Sequence, residues 1–227
     1  MRKLEIRQLG RVPYAEAWAL QRQLAEQRKR GEIYDQLLLV EHPHVLTLGR
    51  NGRTENILAS PERLRELGID YFEIDRGGDI TYHGPGQIVG YPIVDLKDWK
   101  RDVVAYVRGI EEAIIGALAR FGIAGGREAG ATGVWTGDGP ERAKICAIGV
   151  HLSRWVSTHG FALNWTTDLR YFSYIVPCGL TRPVTSMERL GVHVERAAVE
   201  QAIIEEFARV FEFELSEAME AVSWQMS

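Results

Sequence analysis

The sequence predicts a mixed α+β fold: a central, largely antiparallel sheet of mixed direction, flanked by helices. Three observations carry this. Strand-like and helix-period runs share the 227 residues without a strict strand–helix–strand rhythm. Neighbouring strand-like runs are joined by tight glycine- and proline-bearing turns, which implies antiparallel pairing. No long linker, repeat or low-complexity segment divides the chain, so residues 1–227 are expected to form one domain.

Taken in order, residues 3–9 alternate like a strand. Residues 13–30 read as a helix with Trp18, Leu20 and Leu24 toward the core. Leu37-Leu38-Leu39-Val40 is a short, continuously apolar strand, and residues 45–48 are expected to pair with it. Ser60-Pro61 starts a short helix, a capping residue followed by proline at the first helical position. Residues 69–74 form a strand that feeds a glycine-rich loop, and residues 87–96 form the next. Asp102 caps the clearest helix, with Val103, Val107, Ile110, Ile114, Leu118 and Phe121 at helical spacing and Gly122 as its stop. Residues 132–136 and 144–152 make a hairpin around Gly137-Asp138-Gly139-Pro140. A further strand covers residues 155–165. Thr185-Ser186-Met187-Glu188 has the capping-box pattern, and residues 196–211 form a late amphipathic helix.

Composition narrows the function classes. The chain is 45% hydrophobic and 26% charged, which is ordinary for a soluble globular protein with a sizeable core. A net charge of −4 carries no nucleic-acid signature. Met1-Arg2-Lys3-Leu4-Glu5 lacks the apolar core of a secretory signal, and no apolar run reaches the length of a membrane span. Two cysteines, Cys146 and Cys178, make no disulfide framework, so a reducing, cytoplasmic setting is expected.

The densest chemistry lies in Arg76, Gly77, Gly78, Asp79, Ile80, Thr81, Tyr82 and His83, continued by Gly84-Pro85-Gly86-Gln87. Glycines at this density let backbone N–H groups approach a ligand. The stretch is neither a phosphate-binding P-loop nor a dinucleotide fingerprint. Cys178 sits in a turn between Pro177 and Gly179, where a side chain is expected to face a cleft. A nucleophilic cysteine must be a thiolate, and a nearby cation supplies the necessary fall in pKa. Lys144 is the candidate cation. Cys146, in an apolar strand, reads as a small buried hydrophobe, but a regular strand also puts it on the face of Lys144, which makes it a rival nucleophile to Cys178. His42-Pro43-His44 looks like a ligand pair, but no third ligand completes a zinc spacing, and no metal is expected. Six basic residues (Arg142, Lys144, Arg154, Arg170, Arg182, Arg189) against two acidic ones (Asp168, Glu188) suggest a docking face for an acidic macromolecule.

These residues in this order resemble the lipoyl(octanoyl) transferases of the lipoate–biotin protein ligase-like superfamily. The resemblance runs through His42-Pro43-His44-Val45-Leu46-Thr47-Leu48-Gly49-Arg50 and the glycine stretch. It continues through Lys144-Ile145-Cys146-Ala147-Ile148-Gly149-Val150, His159-Gly160-Phe161-Ala162-Leu163-Asn164 and Pro177-Cys178-Gly179. It implies a cytoplasmic acyltransferase that needs no cofactor and moves an octanoyl group through a cysteine thioester. The implied donor is acyl carrier protein. The implied acceptors are lysines on the lipoyl domains of 2-oxoacid dehydrogenase complexes and on the glycine cleavage H protein. It implies Cys178 as nucleophile and Lys144 as the group that lowers its pKa. It also implies that residues Arg76 through His83, Ala147, Ile148, Gly149, Gly160, Phe161 and Ala162 bind the substrate. Apolar Ile148, Phe161 and Leu163 are candidate tunnel walls. The family pattern has a small residue other than cysteine at position 146, which leaves a second thiol beside the site. The rival readings are an ATP-dependent lipoate or biotin ligase on the same fold, a thiol hydrolase, and a non-catalytic module that binds an acyl carrier.

Overall fold

The computed structural model describes residues 2–176 and 182–215. An eight-stranded sheet runs in the order β11 (Phe213–Leu215), β1 (Arg2–Arg11), β2 (Asp35–Glu41), β6 (Gln87–Ile93), β10 (Val156–Asn164), β9 (Ala143–Ser153), β8 (Ala131–Thr136), β7 (Gly125–Glu128). Pairing is antiparallel from β2 through to β7, and parallel where β1 meets β2 and β11. The mixed, largely antiparallel sheet is therefore present, with parallel pairs at one edge. The parallel β1–β2 pair needs a crossover, which helix α1 (Tyr14–Lys29) supplies.

One face of the sheet is covered by helices α3 (Val103–Ala119) and α4 (Arg196–Phe211), which pack on each other. The core on this side includes Leu37, Ile88, Tyr106, Ile110, Ile114, Leu163, Phe207 and Phe211. Helix α3 begins as the sequence indicates: the Asp102 carboxylate accepts from the Ala105 N–H at 2.9 Å. Helix α1 covers the other face and packs on β10 and β6, with Leu20 and Leu24 buried and Trp18 half-buried.

A second sheet was not anticipated. Strand β3 (Val45–Leu48) does not pair with β2. It pairs in parallel with β4 (Asp70–Glu73) and antiparallel with β5 (Ile80–His83). The reason lies in the connection. His42 is buried, its ring held between the Val12 carbonyl and the Tyr91 hydroxyl, both at 2.7 Å. Pro43 follows and has no N–H to give a ladder. The chain leaves the large sheet there. The glycine stretch is accordingly not a plain loop, because its Ile80–His83 half is the strand that closes the small sheet. The short helix α2 (Pro61–Glu66) packs under it, with the Ser60 hydroxyl accepting from the Arg63 N–H at 3.2 Å. The expected capping box at Thr185 is displaced by one residue. Ser186 caps through the Arg189 N–H at 3.1 Å and starts only a 3₁₀ turn, Glu188–Leu190.

Among the described residues no helix is long and apolar enough to cross a membrane.

Candidate active site

The two sheets and α3 enclose a cavity of about 460 Å³. Its origin is a parting of strands. Strands β8 and β9 pair only from Thr136–Ala143 to Val134–Cys146. Beyond that, β9 residues 147–153 pair with β10 alone, while the chain at Gly130, Ala131 and Thr132 swings away. The glycine stretch fills part of the gap, and the Gly77 N–H donates to the Val150 carbonyl at 2.9 Å.

The floor is small by design of the pleat. Ala147 faces Ala162 across the strands, and Gly149 faces Gly160. A Cβ on Gly149 would stand 2.8 Å from the Gly77 carbonyl oxygen and 3.0 Å from Arg76 Cδ, so only glycine lets the loop close over β9. Arg76 is buried, and its guanidinium donates to the Thr47 carbonyl at 2.7 Å and the Thr47 hydroxyl at 3.0 Å. Asp79 organises the turn: its carboxylate accepts from the Ile80 N–H at 2.7 Å and the Asn56 amide at 2.6 Å.

Arg76, Gly77, Gly78, Asp79, Ile80, Thr81, His83, Ala147, Ile148, Gly149, Gly160, Phe161, Ala162 and Lys144 all line this cavity. Tyr82 does not. It faces away from Thr81 and His83, fully buried against Leu46, Phe172 and Tyr171, with its hydroxyl 2.8 Å from His44 Nδ1. Leu163 also points away, into the main core. Tyr14, Gln87, Tyr91, Val103 and Val107 also line it and lie outside the site residues that the sequence indicates. Tyr14 stands in the first turn of α1, where nothing local marks it. The signal for Tyr91 was the register, since it neighbours the Gly90–Phe161 pair.

The two thiols separate cleanly. Cys146 is wholly buried in the main core, and burial pushes its thiol far above the usual range. A bulge explains why it does not share a face with Lys144. One step on β8, from Val134 to Trp135, is matched by two on β9, from Cys146 to Lys144, with Ile145 the extra residue. Lys144 turns to the cavity, with Nζ 4.8 Å from the centre of the Trp135 ring. Cys178 lies outside the described residues. Its segment is flanked by Val176, whose N–H donates to the Asn56 carbonyl at 2.8 Å, and by Pro183–Thr185. That second flank brackets Lys144 with two backbone bonds of 3.0 Å.

Around His83 the polar side chains form an uncharged chain of hydrogen bonds. The Asn164 amide donates to the Thr185 carbonyl, so its oxygen accepts from Gln87 Nε2 at 2.9 Å. Gln87 Oε1 then faces His83 Nδ1 at 2.8 Å. This network assigns the His83 proton to Nδ1 and leaves Nε2 as an acceptor. Burial drives His83 down to about 3 and His42 to about 4, so both rings are uncharged in the folded protein. His159, in a left-handed conformation at φ 55°, is 2.8 Å from Asp75, and that bond helps hold the carboxyl at about 2. The His42–His44 pair is thus engaged by protein partners, and among the described residues no group of three His, Cys, Asp or Glu gathers as a metal site.

The basic segment is less exposed in charge than its composition suggests. Arg142 and Arg182 share Glu128 at 2.6 and 2.7 Å, and Arg170 pairs with Asp168 at 2.7 Å.

Residues 13–208 match the family model of the lipoyl protein ligase A/B catalytic domain. The chain belongs to this family. Among its relatives, the octanoyltransferase of Solibacter usitatus is 60% identical over 215 residues, covering 95% of this chain and 96% of the relative. That of Acidobacterium capsulatum is 52% identical over 218 residues, covering 92% and 88%. Among solved structures, lipoate-protein ligase A bound with ATP superposes with a TM-score of 0.77 at 19% identity, covering 96% of this chain and 88% of that one. The biotin protein ligase of Aquifex aeolicus gives 0.53 at 12% identity, over 93% and 70%. At these identities the solved structures establish the lipoyl protein ligase fold and nothing finer.

Proposed function

We propose that this member of the lipoyl protein ligase A/B family is an octanoyltransferase that carries the acyl group as a thioester on Cys178. The observation that carries the reading is the identity of up to 60% to octanoyltransferases across almost the full length of both chains. A cavity that joins Lys144 to a floor of small residues supports it.

In the first half-reaction the Cys178 thiolate attacks the carbonyl carbon of the octanoyl thioester on acyl carrier protein. A bond to Cys178 sulfur forms, the bond to the carrier sulfur breaks, and the carrier thiolate takes its proton from the Lys144 ammonium. The Lys144 ammonium favours the thiolate and holds down its pKa. Of the backbone donors in the glycine stretch, the Gly77 N–H is already bonded to Val150 and is not free to hold the oxyanion. The octanoyl tail lies along Ile148 and Phe161, where each buried methylene contributes about 0.8 kcal/mol.

In the second half-reaction the neutral amine of a lipoyl-domain lysine attacks the enzyme thioester. An amide bond forms, Cys178 leaves as thiolate, and the amine loses a proton. Lys144, left neutral by the proton it gave to the carrier, takes the proton that the amine loses and returns to the ammonium. The thioester stores the activation, and no ATP is consumed. A lipoyl domain of a 2-oxoacid dehydrogenase complex or the glycine cleavage H protein is the acceptor.

The test is transfer to a lipoyl-domain lysine, read by intact mass. Octanoyl-acyl carrier protein without ATP is expected to give the amide; free octanoate with ATP is expected to give none. The reverse pattern would make the chain a ligase. Release of free octanoate alone would make it a hydrolase. No acyl consumption with either donor would leave a carrier-binding module.

A further inference from the structure

The side chain of Lys144 is held by a construction that the sequence motif does not announce. Its stem runs over Gly133, where a Cβ would lie 3.4 Å from Lys144 Cε and 2.6 Å from the Cys146 carbonyl oxygen. Gly133 has φ 123°, a conformation side chains avoid, and is the last residue before β8 and β9 begin to pair. Its N–H donates to Glu111 Oε1 at 3.1 Å. Glu111 is fully buried and is itself fixed by Arg108 at 2.6 Å and Arg127 at 3.1 Å. The stem therefore has a fixed trough.

At the end of the trough the ammonium meets a ring and not a carboxylate. Nζ stands 4.8 Å from the centre of the Trp135 ring. Trp135 is 1% exposed, and its Nε1–H is anchored on the Ala131 carbonyl at 3.2 Å. Among the described residues no carboxylate lies within ion-pair distance of Lys144. The same ring receives the guanidinium of Arg182 at 5.8 Å, and Arg182 is tied to Glu128 at 2.7 Å. One indole thus contacts the cation and also one flank of the stretch that carries Cys178.

We infer that Trp135 is a positioning residue: a neutral platform that orients the Lys144 ammonium without neutralising its charge. A carboxylate partner would fix the lysine equally well but would oppose its field at a neighbouring thiolate. The ring quadrupole attracts the cation and leaves the full positive charge available. The inference rests on the proposed pairing of Lys144 with the Cys178 thiol.

The experiment measures the rate of iodoacetamide alkylation at Cys178 against pH, with the site read by peptide mass, for wild type, Lys144→Ala, Trp135→Leu and Trp135→Phe. Below the thiol pKa a tenfold slower rate corresponds to about one unit of upward shift. Lys144→Ala is expected to slow alkylation at pH 7 by about tenfold, Trp135→Leu by three- to tenfold, and Trp135→Phe by about twofold, because phenyl is the weaker cation partner. The double variant Lys144→Ala/Trp135→Leu should match Lys144→Ala alone, since both act through one ammonium. In octanoyl transfer, kcat should fall with the alkylation rate while KM for the carrier-borne substrate is unchanged. If Lys144→Ala shifts the profile and Trp135→Leu does not, or if Trp135→Leu adds a further shift without Lys144, the platform is wrong. If Lys144→Ala itself shifts nothing, the lysine–thiol pairing fails first, and the two failures are distinct. Should Trp135→Leu not fold, Trp135→Phe decides: an alkylation profile identical to wild type would overturn the inference.

Discussion

Lowering the pH should destabilise this protein by charging two buried neutral histidines, His83 in the cavity wall and His42 packed against it. His42 and His83 have an ordinary value of 6.5 in the unfolded chain and fall to about 4 and about 3 in the fold, chiefly through burial. Their folded values are depressed, so the unfolded chain binds the extra protons. The stability they contribute is complete above pH 6.5 and is lost progressively toward pH 4 and 3. From pH 7.5 to pH 5 each ring costs about 2 kcal/mol, or about 4 kcal/mol for the pair. That is a large share of a typical 5–15 kcal/mol. His159, also lowered by burial, acts in the same direction. Asp75 begins to contribute only below about pH 4, and its half-exposed carboxylate makes that part small. The assay is urea unfolding by circular dichroism at pH 7.5, 6 and 5. The midpoint should fall with an unchanged slope. His83→Gln should reduce the pH dependence by about half, whatever it does to absolute stability. A midpoint at pH 5 equal to that at pH 7.5, or an undiminished dependence in His83→Gln, would refute the reasoning.

Two further outcomes follow from the packing. Gly149→Ala places a methyl 2.8 Å from the Gly77 carbonyl and should push the Arg76–Gly77 segment off β9, lowering octanoyl transfer by about tenfold or more; unchanged steady-state kinetics would contradict the tight closure. Cys146→Ala removes a sulfur from a sealed core site, so it should cost about 1 kcal/mol in denaturant unfolding and keep self-acylation at the wild-type rate; loss of acylation would return Cys146 to the list of nucleophiles.

Much of the architecture was legible because local chemistry and period agreed. Asp102 and Ser60 cap the helices they were expected to cap, and the hairpin around residues 137–140 forms as its turn residues require. The cavity lining was legible where it came from contiguous motifs, as in the glycine stretch and residues 147–149. Three things were hidden. The small sheet depends on how His42 is pinned by residues 12 and 91, which is a tertiary matter. The opposite fates of Lys144 and Cys146 depend on one extra residue, Ile145, and a bulge breaks the alternation that sequence reading must assume. Tyr14 and Trp135 act on the site across strands and layers, so no spacing along the chain connects them to it.

The central claim is that the acyl group rests on Cys178. The most direct measurement is to incubate the protein with octanoyl-acyl carrier protein, without ATP or acceptor, and to map the adduct by peptide mass under conditions that preserve thioesters. The account predicts an octanoyl increment on the peptide containing Cys178, absent in Cys178→Ser, with Cys146 unmodified. An increment on Cys146, or octanoyl transfer to a lipoyl domain by Cys178→Ser at the wild-type rate, would contradict it.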